Sequence, residues 1–257
     1  MSGYVRYANL FEDRCENEEM FETKGSVSTL LKMQDIFLNS SGGLIFLIGQ
    51  PGSGKTFLLH QIKNRLKHTH TVYLFETPYL TPEDLVGNIS KEKIFNPYEA
   101  KEKIINLADK HQIILLIDEA QMLDESMLEF IRMLSDSKKL WVVLAMHEKE
   151  GKEILQIPHF KSRAPKVLEL GYVTKEEASS YIMKKVDGSD FCRNFFSSKN
   201  LYDIHKYAKG NFRMIKQICR TILLIVAKAK KIGKPGYNRL NKCIVMMAAI
   251  DLGIISE

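Results

Sequence analysis

Four cysteines, Cys15, Cys192, Cys219 and Cys243, are scattered along 257 residues with no paired spacing. They offer neither a zinc ligand set nor a disulfide framework, so free or buried thiols in a reducing compartment are expected. Long apolar runs are missing too. The longest, at 113–117, 222–227 and 243–250, fall well short of the roughly 20 residues that span a bilayer, and no transmembrane segment is expected. The opening, MSGYVRYANLFEDR, has no basic end followed by an apolar stretch, which argues against a secretory signal and for a cytoplasmic protein. There is no internal repeat and no low-complexity tract. The chain is 45% hydrophobic and 26% charged, a balance that argues against disorder and suits one large or two modest globular domains.

Acidic residues are scarce at one end. The net charge is +6, yet from Lys199 onward there are twelve Lys or Arg against three Asp or Glu. Such a basic end suits DNA, an anionic membrane face or an acidic partner; a solvated helical face is the plain alternative.

The most informative stretch is 44–59, LIFLIGQPGSGKTFLL, an apolar run, a glycine-rich turn and then the opening of a helix. Gly49 to Thr56 fit G-x-x-x-x-G-K-[ST], a phosphate-binding loop. In it, glycines remove the side chains that would keep an anion from the backbone N–H groups. Gly49, Gln50, Pro51, Gly52, Ser53, Gly54, Lys55, Thr56 and Phe57 are the expected nucleotide-binding residues. Lys55 reaches the outer phosphates, the Thr56 hydroxyl ligates magnesium, and the helix adds its positive dipole end.

Strands and helices alternate around this loop. Helical spacing is expected over 26–38, 82–89 after a Thr81 cap, 96–110, 127–134 and 149–155; short apolar or β-branched strands over 44–48, 70–75, 112–117, 140–145 and 167–170. This order gives an α/β domain with a parallel sheet. From Thr174, whose spacing to Glu177 forms a capping box, helices dominate: 178–185, 191–196, 201–208, 212–229 and 240–252. Residues 1–25, with an acidic cluster at Glu12, Asp13, Glu16, Glu18, Glu19 and Glu22, are expected to be an irregular lead-in that packs on a domain. The expected domains are then 26–172 and 173–257.

Asp118 and Glu119 close the strand at 112–117. Ligands of a doubly wound sheet collect at the carboxyl ends of its strands. Asp118 there can hold magnesium through water, while Glu119 polarises the attacking water. His147 follows the strand at 140–145, where a polar group orients the water or senses the γ-phosphate; a surface histidine is the plain alternative. Arg163 lies in a loop before the last strand and Arg213 at the start of a helix in the second domain.

That order of motifs resembles the AAA+ ATPases, and more narrowly the ExeA-type family of bacterial secretion and pilus-biogenesis ATPases. The resemblance covers nearly the whole chain from about Tyr7, through GQPGSGKT, IILLIDEAQML, LWVVLA, HFKSRA, VLELGYVTKEEASSYI and KGNFRMIKQICRTIL. It implies a P-loop NTPase of the AAA+ class, with a parallel sheet flanked by helices and then a small all-helical lid domain. ATP and Mg2+ are the implied cofactors. By matching, the catalytic base falls on Glu119, sensor 1 on His147, the arginine finger for a neighbouring subunit on Arg163 and sensor 2 on Arg213. His147 replaces the more usual Gln, Met146 the usual Gly, and Phe212 a common Pro. The membrane span and cell-wall-binding domain of larger members are not expected here.

Two functions fit. One is an ATPase motor or switch, a ring or filament of identical subunits formed with ATP, serving assembly of a secretion, pilus or DNA-uptake apparatus. Its partners would be inner-membrane proteins, with the chain cytoplasmic or peripheral at that membrane. The other is a DNA-binding AAA+ ATPase of transposition-helper type, using the basic end on the phosphate backbone. A GTPase is disfavoured because Asn241-Lys242-Cys243-Ile244 lacks the acid that would read guanine.

Overall fold

The computed structural model describes residues 3–12, 23–76, 81–92, 96–163, 165–186, 195–237 and 239–256. Cys15, Cys192, most of the acidic cluster and most of the helix expected over 191–196 lie outside the described residues. The chain forms two compact units, Gly25–Gly171 and a second made of Met1–Lys24 with Tyr172–Glu257.

In the first unit the strands are β1 (Gly43–Gly49), β2 (Thr71–Phe75), β3 (Ile113–Ile117), β4 (Trp141–His147) and β5 (Lys166–Leu170). All pair in parallel, in the order β2-β3-β4-β1-β5. Parallel strands need crossovers, and these cover both faces of the sheet. The helices are α2 (Lys24–Asn39), α3 (Lys55–Leu66), α4 (Pro82–Ser90), α5 (Pro97–Ala108), α6 (Glu125–Asp136), α7 (Glu148–Gln156) and the single turn α8 (Pro158–Lys161). Side chains alternate along each strand. Ile45, Leu47, Ile114, Leu116, Val143 and Ala145 pack with Leu30, Met33, Leu58 and Ile62 of α2 and α3. Phe46, Ile48, Leu115, Ile117, Val142 and Leu144 pack with Leu85, Ile104, Phe130 and Ile131 of α4, α5 and α6. Burying both faces is why these strands read as unbroken apolar runs.

The second unit is helical: α1 (Gly3–Asn9), α9 (Lys175–Val186), α10 (Ser198–Ala208), α11 (Phe212–Lys231) and α12 (Lys242–Asp251). The lead-in, expected to be irregular, has a helix at Gly3–Asn9, because Tyr4, Ala8 and Phe11 present one apolar stripe to this unit's core. Phe11 meets Tyr181 edge to face, their ring centres 6.2 Å apart. The capping box at α9 forms as expected: Thr174 N–H donates to Glu177 Oε2 at 2.8 Å, and Glu177 N–H to Thr174 Oγ1 at 3.2 Å. Among the described residues no helix is long and apolar enough to cross a membrane.

Candidate active site

The site lies at the carboxyl ends of β1, β3 and β4. β1 ends at Gly49, and the loop turns through two left-handed glycines, Gly52 at φ 76° and Gly54 at φ 98°, into α3. Gly54 caps α3 with no side-chain bond. A helix start without a side-chain cap offers N–H groups and a positive dipole end to an anion. Lys55 is buried, and its Nζ donates to the carbonyl oxygens of Gly49 at 2.9 Å and Gln50 at 3.3 Å. The loop thus holds the cation against its own carbonyl oxygens.

Thr56, on the first turn of α3, donates through Oγ1 to Asp118 Oδ2 at 2.6 Å. Asp118 Oδ1 accepts from the Glu119 N–H at 3.0 Å, and the Asp118 N–H donates to Phe75 O at 2.9 Å, tying it to the end of β2. Only 3% of Asp118 is exposed, and burial pushes its carboxyl above the usual range even though the Thr56 hydroxyl and Glu119 N–H favour the ionised form. Two hard oxygen donors meeting at a buried acid are the kind of set that suits Mg2+.

Glu119 has a left-handed backbone at φ 49°, a conformation uncommon for side chains of its kind and often found at functional sites. Its Oε2 accepts from Gln121 Nε2 and lies 3.6 Å from His147 Nε2. Sequence reasoning placed His147 at the neighbouring strand end, and the fold brings it beside Glu119. Gln121 and Glu148 were missed. Gln50 Nε2 donates to Glu148 Oε2 at 2.8 Å, tying the phosphate loop to the start of α7, and Glu148 also bonds Lys152.

Arg163 is elsewhere. It precedes β5, whose Lys166 pairs with Ile45 near the start of β1, so it lies toward the amino ends of the strands, away from its own phosphate loop. Its Nε and Nη2 donate to Asp136 at 2.5 and 2.8 Å, and Nη1 donates to His159 O at 2.5 Å. This guanidinium holds the Asp136 carboxyl below the usual range. Arg213 stands in the first turn of α11, in the other unit, after Asn211 caps that helix. Among the described residues no cluster of three or more His, Cys, Asp or Glu forms a metal site.

The sequence model for an AAA domain matches residues 38–155, the segment that holds the phosphate loop, Asp118, Glu119 and His147. This chain carries an AAA domain. Over 205 residues it is 25% identical to the general secretion pathway protein A of Aeromonas hydrophila, covering 73% of this chain and 38% of that protein. The chain thus spans well under half the length of this relative, and together the two matches bear out the resemblance to ExeA-type AAA+ ATPases. The fold is that of Cdc6p from Pyrobaculum aerophilum, with a TM-score of 0.69, 15% identity and coverage of 95% of this chain and 70% of that one. The ORC2 protein of Aeropyrum pernix in its ADPNP-ADP complexes gives 0.66, 16%, 97% and 72%. At these identities the likeness speaks for the fold alone: the parallel sheet of the AAA domain, followed by helices.

Proposed function

We propose that the chain is a Mg2+-dependent ATPase that works as an oligomeric motor or switch in assembling a secretion, pilus or DNA-uptake apparatus. The observation that carries the ATPase reading is the Thr56 hydroxyl on the Asp118 carboxylate at 2.6 Å, beside the buried Lys55 and directly before Glu119. Thr56 and Asp118 are the residues that would hold Mg2+, which when bound neutralises charge on the outer phosphates. Lys55 adds a fixed positive charge to those phosphates. Glu119 takes a proton from the attacking water, His147 lies against its carboxylate, and Arg163 serves the nucleotide of a neighbouring subunit. Arg213 is assigned to the nucleotide by resemblance alone.

The process served rests on the likeness to a protein whose name ties it to general secretion. The DNA-binding reading is kept because of the basic end, twelve cations against three acids from Lys199 on.

Two variants test the ATPase. Lys55→Ala should lose ATP binding, whereas Glu119→Gln should keep ATP and hydrolyse it on the order of a hundredfold more slowly. Labelled ATP titration and phosphate release measure both. Normal turnover by Glu119→Gln would sink the assignment of the base.

A further inference from the structure

Glu119 is a half-exposed side chain, 41% accessible, asked to meet water in one geometry. Left alone, a flexible carboxylate loses rotamer freedom when it is oriented, and a misplacement of about 1 Å can cost roughly a hundredfold in rate. The structure supplies an orienting group. Gln121 Nε2 donates to Glu119 Oε2, while Gln121 Oε1 faces the His147 N–H at 3.4 Å at the end of β4. Oε1 of Glu119 has no partner among the described residues.

We propose that Gln121 is a positioning residue for ATP hydrolysis, its amide fixing Oε2 of Glu119 so that Oε1 is the oxygen that takes the proton. This rests on the reading of Glu119 as the base. In the step served, the water oxygen bonds to the γ-phosphorus, its proton passes to Oε1, and the bond to the ADP oxygen breaks with the electron pair leaving on ADP. An amide suits the task for two reasons. It donates at one end and accepts at the other, so it ties the carboxylate to β4. Being neutral, it also spares Glu119 a cation, which would stabilise the carboxylate and weaken it as a proton acceptor. A carboxylate at 121 cannot donate and would repel Glu119, although its shape is nearly the same.

The test uses the full chain with Gln121→Ala, Gln121→Glu and each combined with Glu119→Gln, read by kcat, KM, ATP affinity and melting temperature. Both single variants should lose roughly 10- to 100-fold in kcat, with KM and ATP affinity held within about twofold. In the Glu119→Gln background neither should slow the reaction further, because Gln121 acts only through that carboxylate. Gln121→Glu turning over at the wild-type rate would show that position 121 merely fills space and overturn the proposal. Losses of ATP affinity or melting temperature that parallel the loss of rate would do the same. If Glu119→Gln itself hydrolyses normally, the base assignment fails instead; if it is inactive while both Gln121 variants are fully active, only the present proposal fails.

Discussion

Alanine at either of two glycines in the phosphate loop should damage the protein, but for different physical reasons. At Gly49 the backbone is ordinary, and space is the problem. A Cβ there would come within 2.6 Å of the Leu170 carbonyl oxygen and 2.8 Å of Ser53 Oγ, where real Cβ atoms essentially never come closer than 3.0 Å. That carbonyl is backbone, locked in register because Leu170 of β5 pairs with Gly49 of β1, so the strands themselves must part. Overpacking of this sort costs about 1–3 kcal/mol. At Gly54 nothing lies within 4 Å of a built Cβ, but φ is 98°. The cost there is conformational, about 1–2 kcal/mol. Asparagine separates the two causes, since it tolerates left-handed backbone better than alanine but is larger. Urea unfolding without nucleotide should rank Gly54→Asn above Gly54→Ala and Gly49→Asn no better than Gly49→Ala, with unchanged slopes. ATP titration should show weaker binding for Gly49→Ala, because Ser53 and the loop must move. A Gly49→Ala variant as stable as wild type, or no recovery in Gly54→Asn, would refute the reasoning.

Arg163→Ala should bind ATP nearly normally yet lose hydrolysis by about a thousandfold, and mixing it with Lys55→Ala should restore part of the activity, because an intact Lys55 site then faces an intact Arg163. A mixture that co-assembles and stays inactive would remove the case for action between subunits. If the basic end binds DNA, anisotropy titrations should show affinity falling steeply with salt, as each phosphate contact releases about one counterion. No binding to single or double strands at low salt, with or without ATP, would leave the secretion reading ahead.

The parallel sheet was legible because β1, β3 and β4 are buried on both faces and so read as unbroken apolar runs. β5 was legible only from Val167 onward, since Lys166, Val167 and Glu169 are exposed and blur the run. Tyr4, Ala8 and Phe11 carry the helical spacing of α1, but the stripe is short and the acidic residues that follow it break the apolar pattern. Within the site, the phosphate loop and the Asp118-Glu119 pair are local patterns, whereas the bonds from Gln50 to Glu148 and from Arg163 to Asp136 join residues 98 and 27 apart. Pairings between distant residues leave no period in the chain, and only the folded register of the strands brings them together.

The Arg163 to Asp136 pair bears directly on action between subunits. All three donor nitrogens of Arg163 that make bonds do so within its own subunit, so serving a neighbour's γ-phosphate means giving up Asp136. Both side chains are about one third exposed, Arg163 at 31% and Asp136 at 39%, and exposed pairs of this kind contribute about 0–1 kcal/mol. A thousandfold effect on hydrolysis corresponds to about 4 kcal/mol of transition-state stabilisation. That gain exceeds the loss of the Asp136 pair. Asp136 also keeps a second cation, since Arg132 Nη1 donates to its Oδ2 at 2.6 Å, so the acid is not left unpaired when Arg163 departs. Asp136 thus does not compete seriously for the guanidinium, and the contact seen in a single chain is compatible with a finger that acts on the next one.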